Sequence, residues 1–169
     1  MTCQSEAYYG HINTRDWSLY IAATDNGLCF VGSQNEGIDE MKDWFTKKRP
    51  EAILVEDRDK VAPYANQLVE YFNGERQSFD LPVDFIGTNF QESIWTELQN
   101  IPFGETKTYT DIAENIGRPS SVRAVGAAIG ANPVMIVVPC HRVIGKNGKM
   151  TGFRGGIPMK ERLLGLESS

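Results

Sequence analysis

The sequence predicts two parts: an acidic α/β region over residues 1–84, then a mainly helical region over 85–169 with a helix-turn-helix and a wing. Three observations carry that reading. Charge divides along the chain: residues 1–84 hold 8 Lys and Arg against 15 Asp and Glu, net −7, and residues 85–169 hold 9 against 7, net +2. Hydrophobic periodicity switches from strand-like to helical across the same point. Two short helical patterns joined by a tight turn then follow, the second with a polar start. The 169 residues, 41% apolar and 23% charged, are enough to bury a core and match a soluble globular composition.

In the first part, Trp17-Ser18-Leu19-Tyr20-Ile21-Ala22-Ala23 alternates as a strand does. Asp25-Asn26-Gly27 is a tight-turn signal, and Leu28-Cys29-Phe30-Val31 returns as a second strand. Ile38, Met41, Trp44 and Phe45 have helical spacing, with Pro50 beyond the end. Ala65, Leu68, Val69 and Phe72 form a second helical stripe closed by Asn73-Gly74. Residues 74–84 contain Pro82 and few helix formers, so they read as a linker or an edge strand, with the boundary near 85.

In the second part, a helix over 91–100 carries Ile94, Trp95 and Leu98 on one face and ends at Ile101-Pro102-Phe103-Gly104. Thr108-Tyr109-Thr110-Asp111 has capping-box form and opens a short helix that stops at Gly117. Ser120 or Ser121 caps the next helix, with Val122, Val125 and Ile129 buried and Asn132-Pro133 ending it. Its exposed side is Arg123 among small residues: Ala124, Gly126, Ala127, Ala128, Gly130 and Ala131. Such a face suits tight helix packing, or entry into a DNA minor groove only about 6 Å wide. Val134-Met135-Ile136-Val137-Val138 reads as a buried strand leading into Pro139, and 143–153 as a hairpin-like wing turning at Asn147-Gly148.

Residues 117–162 are more basic than the whole: eight Lys and Arg face the single acid Glu161, a local charge of +7 in a chain of net −5. A basic patch is the electrostatic mark of a phosphate-binding face, although a solvated face has the same composition. Cys3, Cys29 and Cys140 are odd in number and lack framework spacing, which fits free thiols in a reducing, cytoplasmic compartment. With only His11 and His141, a zinc site is not expected. No run approaches the roughly 20 apolar residues of a membrane span, and the start has no secretory pattern.

The sharpest feature is Pro139-Cys140-His141-Arg142. It sets a thiol beside an imidazole, and Pro139 restricts the backbone on both sides of the peptide entering Cys140. A thiolate is the reactive form of cysteine and a neighbouring base generates it.

Together these residues resemble the O6-alkylguanine-DNA alkyltransferases. The resemblance is strong over roughly 87–167: Gly87-Thr88-Asn89-Phe90-Gln91, Ile101-Pro102-Phe103-Gly104, Tyr109 with Ile112-Ala113, Arg123-Ala124-Val125-Gly126, Asn132-Pro133, Pro139 to Gly145, Gly155-Gly156, and Lys160-Glu161 with Leu163-Leu164. It implies a ribonuclease-H-like fold for 1–84 and a winged-helix-like alkyltransferase domain for 85–169. It implies that Cys140 accepts the alkyl group, that His141 acts as its base through a water, and that Glu161 orients His141. It implies that Asn132 braces the turn holding Cys140, and that Tyr109 lies by the flipped base. Arg123 would fill the gap in the base stack, with Ser121, Ala124, Ala127 and Gly130 against DNA. Val143, Phe153, Arg154 and Gly155 would line the base pocket.

The implied activity is repair of O6-alkylguanine, and of O4-alkylthymine, in double-stranded DNA. One irreversible transfer per molecule is expected, with no cofactor, no metal and no membrane, by a monomer without an obligate protein partner. It would act in the cytoplasm on the nucleoid, or in a nucleus. Phe153 stands where many relatives have tyrosine, and Arg154 where small residues are usual. A non-catalytic winged-helix regulator would explain the basic stretch but not the Cys-His pair. A cysteine hydrolase or redox sensor would explain the thiol but not Arg123 on a helix of small residues.

Overall fold

The computed structural model describes residues 5–168. The chain divides between Ile86 and Gly87 into two compact units. The first contains strands β1 (Glu6–Asn13), β2 (Ser18–Thr24) and β3 (Gly27–Val31), helix α1 (Ile38–Lys48), strand β4 (Ile53–Glu56) and helix α2 (Arg58–Phe72). The strands form one sheet in the order β3-β2-β1-β4. Strands β1 and β2 are antiparallel from Tyr8↔Ala23 to Asn13↔Ser18, whereas β1 and β4 run parallel. A parallel neighbour requires a crossover, and α1 lies in it.

The strands expected at 17–23 and 28–31 are present, and both expected helices form. Strands β1 and β4 carry no strong alternation of their own; β4 has four residues, and pairing with β1 is what makes it a strand. Ala7, Ala22, Cys29, Phe30, Met41 and Phe45 pack as a buried cluster. Trp17 stacks on Phe72 with ring centroids 4.3 Å apart. Segment 74–84 closes back on the sheet: Leu28 N–H donates to the Pro82 carbonyl at 3.0 Å and Asp84 N–H to the Leu28 carbonyl at 2.8 Å. Asp84 then accepts from Thr24 Oγ1 at 2.5 Å and pairs with Arg49 at 3.1 Å, which ties down the end of the unit.

The second unit contains α3 (Asn89–Leu98), β5 (Lys107–Thr108), α4 (Tyr109–Asn115), α5 (Val122–Gly130), a 3₁₀ turn at Cys140–Arg142, β6 (Val143–Ile144), a second 3₁₀ turn at Lys146–Gly148, and α6 (Ile157–Ser168). Thr88 and Thr108 each form a full capping box, the latter with Asp111. Ser121 stands at the N-cap of α5 without a side-chain cap bond. Ala128, expected on the exposed side of α5, is buried, because its carbonyl accepts the indole N–H of Trp95 at 2.8 Å.

Two expectations fail in this unit. Residues 134–138 are a tight turn, not a strand: Val138 N–H returns to the Val134 carbonyl at 3.0 Å, and Ile136 adopts φ +75°. A β-branched residue there carries strain of roughly 1–3 kcal/mol, which the surrounding packing must hold. The apolar run is buried in the core, and its backbone groups bond partly within the turn and partly to the Asn132 side chain. Nor is 143–153 a hairpin. Asn147 and Gly148 do turn, both with positive φ, and Gly145 N–H meets the Lys149 carbonyl at 2.8 Å. Strand β6, however, pairs in parallel with β5, Lys107↔Val143 and Thr108↔Ile144. That pairing puts the start of α4 beside the segment that follows Cys140.

Thr108 therefore carries both a cap and the position of Tyr109. Thr108→Ala is expected to lower stability by about 1 kcal/mol, the usual worth of an N-cap. Urea unfolding followed by tryptophan fluorescence checks this.

Candidate active site

The Asn132 side chain organises the turn that presents Cys140. Its Oδ1 accepts Val134 N–H at 2.9 Å, and its Nδ2 donates to the Val138 carbonyl at 2.8 Å. One buried amide thus clamps both ends of the strained loop. Pro139 follows, and Cys140 opens the 3₁₀ turn, buried at 5% exposure. Cys29 is also buried, but it lies in the sheet of the first unit with its thiol toward the Ala22 carbonyl at 3.4 Å and its pKa pushed up by burial to about 12. Cys3 lies outside the described residues.

His141 is fully buried, and its Nε2 lies 2.7 Å from Oε2 of Glu167. A carboxylate can only accept, so Nε2 carries the proton and Nδ1 is the bare nitrogen. Among the described residues Nδ1 has no hydrogen-bond partner. Glu167 also receives Arg142 in a fork, Nε to Oε1 at 2.8 Å and Nη2 to Oε2 at 3.0 Å. Arg142 Nη1 donates to the Ile101 carbonyl at 2.6 Å, and Gly104 N–H approaches Glu167 Oε1 at 3.4 Å. The Ile101-Pro102-Phe103-Gly104 block thus frames this charge cluster.

The partner of His141 is Glu167, and the assignment to Glu161 is corrected. Glu161 is exposed. On α6 the buried residues are Met159, Lys160, Leu163 and Glu167. Positions 160, 163 and 167 recur at three and four residues and share one helix face. Glu161 is rotated about 100° from Lys160 and faces water. The signal lies in that spacing, which puts Glu167 and not Glu161 on the buried face.

Burial pushes the Cys140 thiol upward; the Asn132 amide, Arg154 and Lys160 pull it back in that order. The resting group is therefore a thiol that has to lose its proton, not a preformed thiolate. Burial pushes the His141 pKa down; Glu167 opposes this, and Arg142 and Lys160 add to it. A neutral imidazole with a bare Nδ1, on the residue that follows a buried thiol, has the protonation state that a general base requires.

Around this pair stand the other expected site residues. The Tyr109 hydroxyl lies 2.6 Å from Thr151 Oγ1. Lys160, 1% exposed, donates to the Val143 carbonyl at 2.6 Å, and burial lowers its pKa against the pull of Cys140. Phe153 and Arg154 are half-buried, and Arg154 Nη2 donates to the Pro133 carbonyl at 3.3 Å. A Cβ on Gly155 would stand 2.9 Å from the Phe153 ring and overlap the Met159 sulfur, so any side chain there would have to displace those two. On α5, Arg123, Ala124, Ala127 and Gly130 are exposed and Ser121 is half-buried. Tyr109, Val122, Gly126, Gly130 and Gly152 line an open groove of ≈ 440 Å³. Thr151, Lys160, Arg142 and Glu167 are the site residues that sequence reasoning did not assign.

Two family models together span most of the chain. Residues 7–85 match the model for the 6-O-methylguanine DNA methyltransferase ribonuclease-like domain, and residues 89–169 match that for the DNA binding domain of the same family. The inducible methylated-DNA–protein-cysteine methyltransferase of Bacillus subtilis is 55% identical over 160 residues, covering 95% of this chain and 89% of its own. The chain belongs to the 6-O-methylguanine DNA methyltransferase family. Among solved structures, Mycobacterium tuberculosis O6-methylguanine methyltransferase superposes with TM-score 0.80 at 38% identity, over 96% of this chain and 93% of that one. The same organism's OGT in complex with DNA gives 0.81 at 39%, over 95% and 92%.

In this methyltransferase the corrected relay makes a direct comparison. Glu167→Gln is expected to slow alkylation of Cys140 by iodoacetamide by about 10²-fold, the low end for loss of an oriented general base. Glu161→Gln is expected to leave it unchanged. Stopped-time labelling with peptide mapping distinguishes the two.

The neutral, buried His141 also sets a pH dependence. Its folded pKa lies below the ordinary 6.5, so just under that pH the unfolded chain binds a proton that the folded chain refuses. Stability is therefore expected to fall as pH drops through this window. His141→Gln should show a smaller loss between about pH 7.5 and about pH 5.5, read from urea midpoints.

Proposed function

We propose that this protein repairs O6-alkylguanine in duplex DNA by moving the alkyl group irreversibly, once per molecule, to its own Cys140. The observation that carries the reading is the 3₁₀ turn that holds a buried Cys140 next to a buried His141, whose Nδ1 is left bare while Glu167 fixes the imidazole's tautomer. Cys140 gives its proton to His141 through a water. The sulfur attacks the alkyl carbon, the carbon–O6 bond breaks, and its electron pair stays on the purine, which takes up one proton. Tyr109, held by Thr151, supplies that proton. The product is a thioether with no easy leaving path, so turnover stops.

A thiol this deeply set cannot reach a base inside the stack, so the nucleotide leaves the duplex at a cost of a few kcal/mol. The exposed α5 face of Ala124, Ala127 and Gly130 suits a narrow groove, and Arg123 offsets the lost stacking. The +7 stretch meets the phosphates. Phe153 and Gly155 cover the base, Arg154 borders it, and Val143 keeps a second carbonyl lone pair for the guanine amino group. We read 1–84 as a ribonuclease-H-like support and 85–169 as the winged-helix-like catalytic domain, acting as a cytoplasmic monomer. The mixed sheet of the first unit and the α4–α5 pair of the second support this.

Incubation with duplex DNA containing O6-methylguanine is expected to add about 14 Da to each molecule, one methylene, mapped to the Cys140 peptide. Cys140→Ala should abolish the gain and keep DNA binding. Adducts on Cys29, or many products per molecule, overturn the reading.

Arg123→Ala is expected to slow repair of duplex DNA far more than transfer from free O6-methylguanine, because only the duplex needs flipping. An unchanged ratio of the two rates removes Arg123 from the flipping step.

A further inference from the structure

Besides His141, the relay carboxylate receives a second side chain, Arg142. Glu167 Oε2 accepts His141 Nε2 at 2.7 Å and Arg142 Nη2 at 3.0 Å, while Oε1 takes Arg142 Nε at 2.8 Å. Arg142 is 6% exposed, and its remaining nitrogen is spent on the Ile101 carbonyl at 2.6 Å. All three guanidinium nitrogens are thus engaged within the protein. We infer that Arg142 is a positioning residue of the relay: it neutralises the Glu167 carboxylate so that His141 stays uncharged and keeps its Nδ1 lone pair for the Cys140 proton.

The inference rests on the proposed alkyl transfer only for its biological use; the charge argument concerns the resting site. An isolated buried carboxylate is costly, and it draws a proton onto the nearest base. Here the nearest base is His141. With Arg142 in place the carboxylate is already paired, and the imidazole need only donate a neutral hydrogen bond. Without Arg142, imidazolium and carboxylate become the favourable pair. Nδ1 then carries a hydrogen and cannot accept another. The other charged and titratable groups bearing on His141 are Lys160 on α6, which opposes its protonation, and Cys140 beside it in the chain. Arg154 bears on the sulfur instead.

The test reads the rate of Cys140 alkylation by iodoacetamide against pH, with the adduct mapped, in wild type, Arg142→Met, Arg142→Gln and Arg142→Lys. The acid limb is expected to move up by about one pH unit or more in the two uncharged variants, a rate loss of about tenfold at acidic pH that recovers at alkaline pH. Arg142→Lys keeps the charge and should keep the limb within a few tenths of a unit of wild type. Arg142→Met/Glu167→Gln removes both charges and should bring the limb back down from its Arg142→Met position. A folded uncharged variant, by circular dichroism, whose rate drops by the same factor at every pH overturns the inference. So does failure of both uncharged variants to fold while Arg142→Lys behaves as wild type, because Arg142 would then be a structural brace. A wild-type protein that shows the acid limb yet takes no methyl group from O6-methylguanine DNA would sink the proposed function and leave the role of Arg142 standing.

Discussion

One buried carboxylate organises the catalytic half of this molecule. Glu167 gathers His141, Arg142 and the Gly104 amide around two oxygens. Three segments meet there: the last helix brings Glu167, the 3₁₀ turn of Cys140–Arg142 brings His141 and Arg142, and the loop after α3 brings Gly104. Removing one partner of a buried ion pair typically costs about 3–5 kcal/mol, because the other charge is left uncompensated. The cluster therefore fixes where α6 docks as firmly as it fixes the tautomer of His141. Stability and catalysis share the same atoms.

The second constraint is the clamp at Asn132. A five-residue apolar run is folded into a turn, with Ile136 at φ +75°, and the Asn132 side chain, reaching both ends, adds to the backbone bond that holds it. The same amide also lowers the thiol's pKa against burial. One residue thus supports the strained backbone and tempers the electrostatic penalty on the nucleophile. The parallel pairing of β5 with β6 completes the frame by carrying Tyr109, at the start of α4, to the segment that leaves Cys140.

Burial is what makes the chemistry need a relay. Desolvation drives the thiol up and the imidazole down, so both groups rest uncharged. In the proposed reaction, proton transfer between them creates charge in a buried site, where Arg154 and Lys160 already act on the sulfur. Lys160 is itself buried and anchored on the Val143 carbonyl, so its charge is fixed in place and does not sweep through solvent.

Much of this was legible in the sequence. The Pro139-Cys140-His141 block, the capping box at Thr108 and the small face of α5 are local patterns, and local patterns dictate local structure. The division near residue 85 showed in the charge distribution. What the sequence could not decide was which side chains meet across long separations. Glu161 and Glu167 are both acids on one helix, and only the docking of α6 selects the buried one. The run at 134–138 has strand composition, and the Asn132 clamp helps to turn it. The Asn147-Gly148 turn was readable, but β6 chose a parallel partner 36 residues upstream over the hairpin that local signals suggested. Residue types and periods set the elements and singled out the Cys140-His141 pair. The pairing of buried charges belongs to the tertiary structure, because a charge is tolerated in the core only where a specific partner, distant in sequence, arrives to meet it.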